Sequence, residues 1–170
     1  MYKVSLAIPI YNVSLFVERA LLSALNQTYD NIEYLIVDDK GQDDSMDIVH
    51  RIIKDHPRGK DVRIIEHPHN IGTDATKNTA IDNAQGEYLF FMDSDDEIIP
   101  TCIEILVHKM QEHPVDFIAA SHMKKDLSGK TYPTYTYSPI LIQGDDLPVA
   151  QYRYAQNNDI YVMSLSLIHI

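Results

Sequence analysis

At 170 residues with 45% hydrophobic content, the chain is sized for one domain that can bury a core. Lys and Arg number 14 against 25 Asp and Glu, a formal net charge of −11. That balance excludes a basic surface gripping nucleic-acid phosphates, though a bound divalent cation would still let an acidic chain hold a phosphorylated ligand.

The single cysteine, Cys102, cannot form an internal disulfide. Pro9 and Asn12 interrupt the uncharged stretch after Lys3, so it does not read as a signal-peptide core. No run approaches the roughly 20 apolar residues that span a bilayer. The reading is therefore a cytoplasmic chain, at the cytoplasmic face of the membrane if it meets a membrane at all.

In chain order, residues 4–8 read as a short buried strand, followed by a helical stripe of Phe16, Val17, Ala20, Leu21, Ala24 and Leu25. Residues 32–37 form a second apolar run, and Ile48, Val49, Ile52 and Ile53 mark the next helix. Residues 62–65 are a third strand, and residues 74–85 a helix stopped by Gly86 at its C-terminal cap. Residues 88–92 are apolar on both faces, as a strand covered on both sides requires. Pro100 opens a helix with Ile103, Leu106, Val107 and Met110 on one face, and residues 115–120 are a fifth strand.

This alternation predicts an α/β, Rossmann-like, mostly parallel sheet flanked by helices. After Ser121 the pattern changes. Residues 124–137 read as an irregular hairpin and residues 144–157 as a further helix, while residues 164–170 end in an apolar stretch with no evident partner. The division expected is a core over residues 1–123 and an incomplete, truncated region over residues 124–170.

In such a sheet ligands bind beyond the carboxyl ends of the strands. Pro9, Tyr11 and Asn12 follow the first strand and Asp38 and Asp39 the second. His67, His69, Asn70 and Gly72 follow the third, and Asp93-Ser94-Asp95-Asp96 the fourth. Two carboxylates at i and i+2 can reach one hard cation, and oxygen ligands select Mg²⁺ or Mn²⁺. A pair of this kind also fits a solvated turn, or acidic residues preceding a helix. Asp38 and Asp39 fit a turn as well as a site, and His67 and His69 lack a third ligand at metal-binding spacing. Neither a G-x-G-x-x-G loop nor a P-loop can be written with glycines at 41, 59, 72, 86, 129 and 144.

Seven motifs then occur in order. They are Ile8-Pro9-Ile10-Tyr11-Asn12, Asn26-Gln27-Thr28-Tyr29, Ile36-Val37-Asp38-Asp39, Asn70-Ile71-Gly72, Lys77-Asn78-Thr79-Ala80, Gly86-Glu87-Tyr88 and Met92-Asp93-Ser94-Asp95-Asp96. Together, over some 100 residues, they resemble family 2 glycosyltransferases of the GT-A fold, the nucleotide-diphospho-sugar transferases. The resemblance implies inverting transfer of a sugar from a nucleotide sugar, commonly UDP-linked, to an acceptor hydroxyl in glycan or polysaccharide biosynthesis. It implies that Pro9, Tyr11 and Asp39 line the base and ribose pocket, with Asn12, Asp38, Lys77 and Ser94 among the nucleotide-binding positions. Asp93 and Asp95 would form the D-x-D that holds the sugar nucleotide and its Mn²⁺ or Mg²⁺. A carboxylate at Asp39 could accept the N3–H of uracil.

Two positions depart from the family pattern. Lys77 stands where arginine is common, and Lys40-Gly41-Gln42 replaces the usual glycine-serine. No convincing catalytic base precedes Ile170, and Asp145, Asp146 and Asp159 are candidates only by elimination. The alternative is a nucleotide-sugar-binding fragment without transfer activity.

Overall fold

The computed structural model describes residues 1–113, 117–120, 123–126, 129–133 and 166–169. Strands β1 (Val4–Ile10), β2 (Ile32–Asp38), β3 (Val62–Glu66) and β4 (Tyr88–Phe91) alternate with helices α1 (Val17–Leu25), α2 (Ser45–Asp55) and α3 (Thr73–Asn83). Helix α4 (Cys102–Glu112) and β5 (Phe117–Ala119) follow, then β6 (Met123–Lys125), β7 (Thr131–Pro133) and β8 (Ser166–His169). The main sheet has the order β3-β2-β1-β4-β8-β5. Strands β1 to β4 are mutually parallel, and β8 runs antiparallel between β4 and β5.

All seven residues of β2 are buried, because the strand is paired on both sides and covered on both faces. Alternation sends Leu6, Ile8, Tyr34, Ile36 and Phe90 to one face, where they join Leu21 and Leu25 of α1, Val49 of α2 and Ile103 and Met110 of α4. Ala7, Leu35, Val37 and Leu89 point the other way and pack with Ala80 of α3. Each fully buried large apolar side chain contributes about 1.5–3 kcal/mol. The small side chains of Ala7 and Ala80 let α3 lie close against the sheet, which fixes where its N-terminus points.

Three expectations need correction. Helix α3 ends at Asn83 with Ala84 in an extended conformation, so Gly86 is not its cap. A Cβ at Gly86 would stand 2.7 Å from both the Lys3 carbonyl oxygen and the Ser5 nitrogen. That glycine permits the chain entering β4 to lie against β1. Phe16 precedes α1 rather than joining its buried stripe, and is 39% exposed. The terminal apolar stretch does have a partner, since residues 166–169 enter the main sheet as β8. The expected hairpin is met by β6 and β7, whereas the helix expected at 144–157 lies outside the described residues. Asp145, Asp146 and Asp159 lie outside them too.

Candidate functional site

From β1 the chain steps to β2 on one side and reaches β4 on the other, so the sheet order reverses between β1 and β4. Loops leaving the carboxyl ends of these strands splay apart there and open a crevice. A cleft of about 300 Å³ occupies that position. Pro9, Ile10, Tyr11 and Val13 supply one wall and Asp39 part of the floor. Thr73, Thr76 and Lys77 of α3 and Asp93, Ser94 and Asp95 beyond β4 close the rest.

Asp39 is 3% exposed, and its two oxygens accept four hydrogen bonds. Oδ1 accepts from His67 Nδ1 at 2.8 Å and from the Ile71 N–H at 2.9 Å. Oδ2 accepts from Asn70 Nδ2 at 2.8 Å and from the Gly72 N–H at 3.0 Å. Burial alone would raise this carboxyl's pKa, but the Ile71, His67 and Gly72 donors outweigh it and hold the group below the ordinary range. Four donors fill the roughly four acceptor sites of a carboxylate. Asp39 thus ties the end of β2 to the segment that launches α3. Gly72, with φ of +89°, makes the turn into that helix in a conformation that a side chain would strain. The uracil N3–H expected at Asp39 could be accepted only as a shared bond.

His67 is buried, and both ring nitrogens are engaged, Nδ1 with Asp39 and Nε2 with Thr79 Oγ1 at 2.9 Å. The His67-Pro68-His69 pair is therefore no metal site. Its first member belongs to the framework under the cleft.

Asn12 and Asp38 stand outside the cleft lining. Asn12 takes φ of 51°, which asparagine tolerates, and its Oδ1 accepts the Gln42 N–H at 2.7 Å. Asp38 accepts from the Lys40 N–H at 2.8 Å and from Lys40 Nζ at 3.2 Å, and that ammonium also reaches Glu66 at 2.7 Å. Both residues shape loops rather than face the cleft. Asp43 accepts the Ser14 N–H at 2.8 Å and so joins the loop after β1 to the start of α2.

At the open side Asp93 is partly exposed, Ser94 is buried and Asp95 is exposed. Lys77 Nζ lies 3.7 Å from Asp93 Oδ1 and 5.9 Å over the Phe91 ring. Among the described residues no group of three or more histidine, cysteine or acidic side chains closes around a cation. Asp93 and Asp95 offer only hard oxygen donors with access to the cleft. They fit Mg²⁺ or Mn²⁺ completed by water and phosphate oxygens, and do not fit a caged structural metal. The N-terminal turn of α3, from which Thr73 and Thr76 line the cleft, turns the positive end of the helix to the same space, a favourable place for an anion.

Pro9, Tyr11, Asp39, Lys77, Asp93, Ser94 and Asp95 meet in one cleft. Thr73 and Thr76 also line it and were not expected there, while His67, expected at this edge, lies beneath the cleft against Asp39. The spacing of Thr73, Thr76, Lys77 and Ala80 along one face of α3 carried a signal, since i, i+3, i+4 and i+7 share a side.

The family profile described as glycosyl transferase family 2 matches residues 5–162. An uncharacterized glycosyltransferase of Haemophilus influenzae is 31% identical over 151 residues, covering 86% of this chain and 59% of the relative. The Escherichia coli protein described as UDP-Glc:alpha-D-GlcNAc-diphosphoundecaprenol beta-1,3-glucosyltransferase WfaP is 37% identical over 129 residues, covering 74% and 49%. The crystal structure of residues 1–349 of S. aureus TarS in complex with UDP superposes with a TM-score of 0.67 at 26% identity, covering 78% of this chain and 38% of that one. The chain thus spans only part of the length of these relatives. A mostly parallel sheet with a cleft at its reversal point, the superposition on TarS and a profile match over nearly the whole chain agree: this is a GT-A-fold member of glycosyl transferase family 2.

Proposed function

We propose that the cleft binds a UDP-sugar through Mn²⁺ or Mg²⁺ and presents the sugar for inverting transfer to an acceptor hydroxyl in glycan or polysaccharide biosynthesis, at the cytoplasmic face of the membrane. The carrying observation is the convergence of an exposed Tyr11 ring, the N-terminal turn of α3 and the Asp93/Asp95 pair around one cleft. Tyr11 and Pro9 offer apolar surface to a base. The turn of α3 and Lys77 face the diphosphate. The cation, when bound, neutralises charge on the leaving diphosphate. The UDP complex of TarS and the UDP-Glc donor named for WfaP support the choice of nucleotide. Among the described residues no helix is long and apolar enough to cross a membrane.

Calorimetry with UDP tests the reading. Asp93→Ala and Asp95→Ala should each weaken Mn²⁺-dependent binding by about 1–3 kcal/mol, while the exposed His69→Ala should leave it unchanged. Equal UDP affinity with and without Mn²⁺ refutes it. The division into a donor core over residues 1–123 and an acceptor-side portion over residues 124–170 belongs to the same proposal. A second reading, a donor-binding segment that transfers nothing by itself, rests on coverage of 59% and 49% of the two relatives. Sugar transfer by the purified chain to any acceptor in a screened panel would remove it.

A further inference from the structure

The Lys77–Asp93 contact has the wrong length for a structural salt bridge. At 3.7 Å it exceeds the 2.7–2.9 Å of a charge-assisted hydrogen bond, and the two side chains are 34% and 38% exposed. Among the described residues its other close partner is the Phe91 ring, 5.9 Å from the Lys77 ammonium. The pair is therefore Coulombic, solvated and easily broken. Asp39 differs in kind, because its compensating donors include two backbone N–H groups that cannot leave. A lysine is a compact charge on a flexible stem, and no planar fork locks it to the carboxylate.

We propose that Lys77 is an exchangeable counter-cation that competes with the divalent metal for Asp93 and is released toward the diphosphate when the metal displaces it. This rests on the divalent-cation reading above and adds a regulatory consequence. Before the nucleotide arrives, Lys77 neutralises part of the metal site and lowers its affinity. Once metal takes Asp93, the freed ammonium can meet phosphate oxygens in the cleft that Lys77 lines. Metal and nucleotide then load together, each making room for the other, and the binding of one raises the affinity for the other by the same factor.

Electron paramagnetic resonance of free Mn²⁺ measures the effect without turnover, using the 170-residue chain, with circular dichroism to verify folding. Without nucleotide, Lys77→Met should bind Mn²⁺ about two- to fivefold more tightly than the wild type, the scale of a partly exposed ion pair. Lys77→Arg should bind it no more tightly than the wild type. With UDP present the order should reverse, because Lys77→Met has lost its phosphate contact. The factor by which UDP strengthens Mn²⁺ binding should fall in that variant. Equal or weaker nucleotide-free Mn²⁺ binding by Lys77→Met overturns the competition. If Asp93→Asn abolishes Mn²⁺ binding in that case, the cation reading survives it. If Asp93→Asn binds Mn²⁺ as the wild type does, both fall.

Discussion

Replacing Asp39 by asparagine changes one oxygen to an amide nitrogen and nothing in shape, which makes it a clean probe of the four-donor arrangement. The amide must point its nitrogen at one of two donor pairs. On the Oδ2 side it would confront Asn70 Nδ2 and the Gly72 N–H, so both native bonds there are lost. On the Oδ1 side a change of tautomer lets His67 Nδ1 accept, and Nε2 can then donate to Thr79, but the Ile71 N–H is stranded. The second arrangement is better. Its cost is one buried unsatisfied N–H, about 1–3 kcal/mol, plus the weakening of the surviving bonds from charged to neutral, about 1 kcal/mol.

The expected loss is about 3 kcal/mol. For a domain of this size that corresponds to a Tm about 6–12 °C lower, read by thermal circular dichroism or urea unfolding. Base preference is then measured calorimetrically with UDP and CDP, well below both midpoints. Because the carboxylate sites are already filled, the preference should narrow by less than about tenfold, the value of one ordinary hydrogen bond. A variant of wild-type stability whose UDP preference collapses by more than that would refute the argument. Asp39 would then be a free base reader instead of a tie between β2 and α3.

Gly86→Ala should destabilise the fold by about 2–4 kcal/mol in urea unfolding, because a Cβ 2.7 Å from the Lys3 oxygen and Ser5 nitrogen meets backbone that cannot rotate away. Acid should unfold the chain as the pH falls from about 4 toward about 2. Burial raises Asp39 and Glu33, but their donors outweigh it and depress both pKa values. Asp43 is lowered to about 2, its Ser45 and Ser14 hydrogen bonds likewise outweighing burial. Depressed carboxylates contribute stability above their unfolded pKa and lose it as the pH drops through the folded value, so fluorescence-monitored unfolding should show no loss between pH 5 and 7 from these groups.

That Asp93 and Asp95 stand at the carboxyl edge of the sheet, on the cleft, could be read from the sequence because a wholly apolar run precedes them, and a strand buried on both faces can place polar groups only at its end. The order β1-α1-β2-α2-β3-α3-β4 was legible for the same reason, as periodicity changes from 2 to 3.6 at each junction. The Asp39 network was not legible. Two of its four donors are backbone N–H groups of Ile71 and Gly72, whose direction no side-chain pattern displays. Gly86 was misread because a glycine after a helix serves equally as a cap or as a close approach, and only the neighbouring strand decides. The partner of residues 166–169 was equally hidden, since a short uncharged run cannot name the strands it pairs with.

The net charge of −11 does not describe the cleft, because its carboxylates are compensated locally and by different means. Asp39 is balanced by fixed dipoles and an imidazole, all held by the fold. Asp38 is balanced by Lys40, which adopts φ of 56° where glycine would be easier and bridges to Glu66. Asp93 is balanced by one loosely placed ammonium, and Asp95 has no salt bridge among the described residues. The compensation is thus fixed by the fold at Asp39 and, on the proposal above, exchangeable at Asp93. A ligand's cation can enter only where the existing counter-charge can leave. On the proposed donor-binding reading, the diphosphate end of a nucleotide would therefore sit at Asp93 and Asp95, with its base toward Tyr11 and the rigid floor at Asp39.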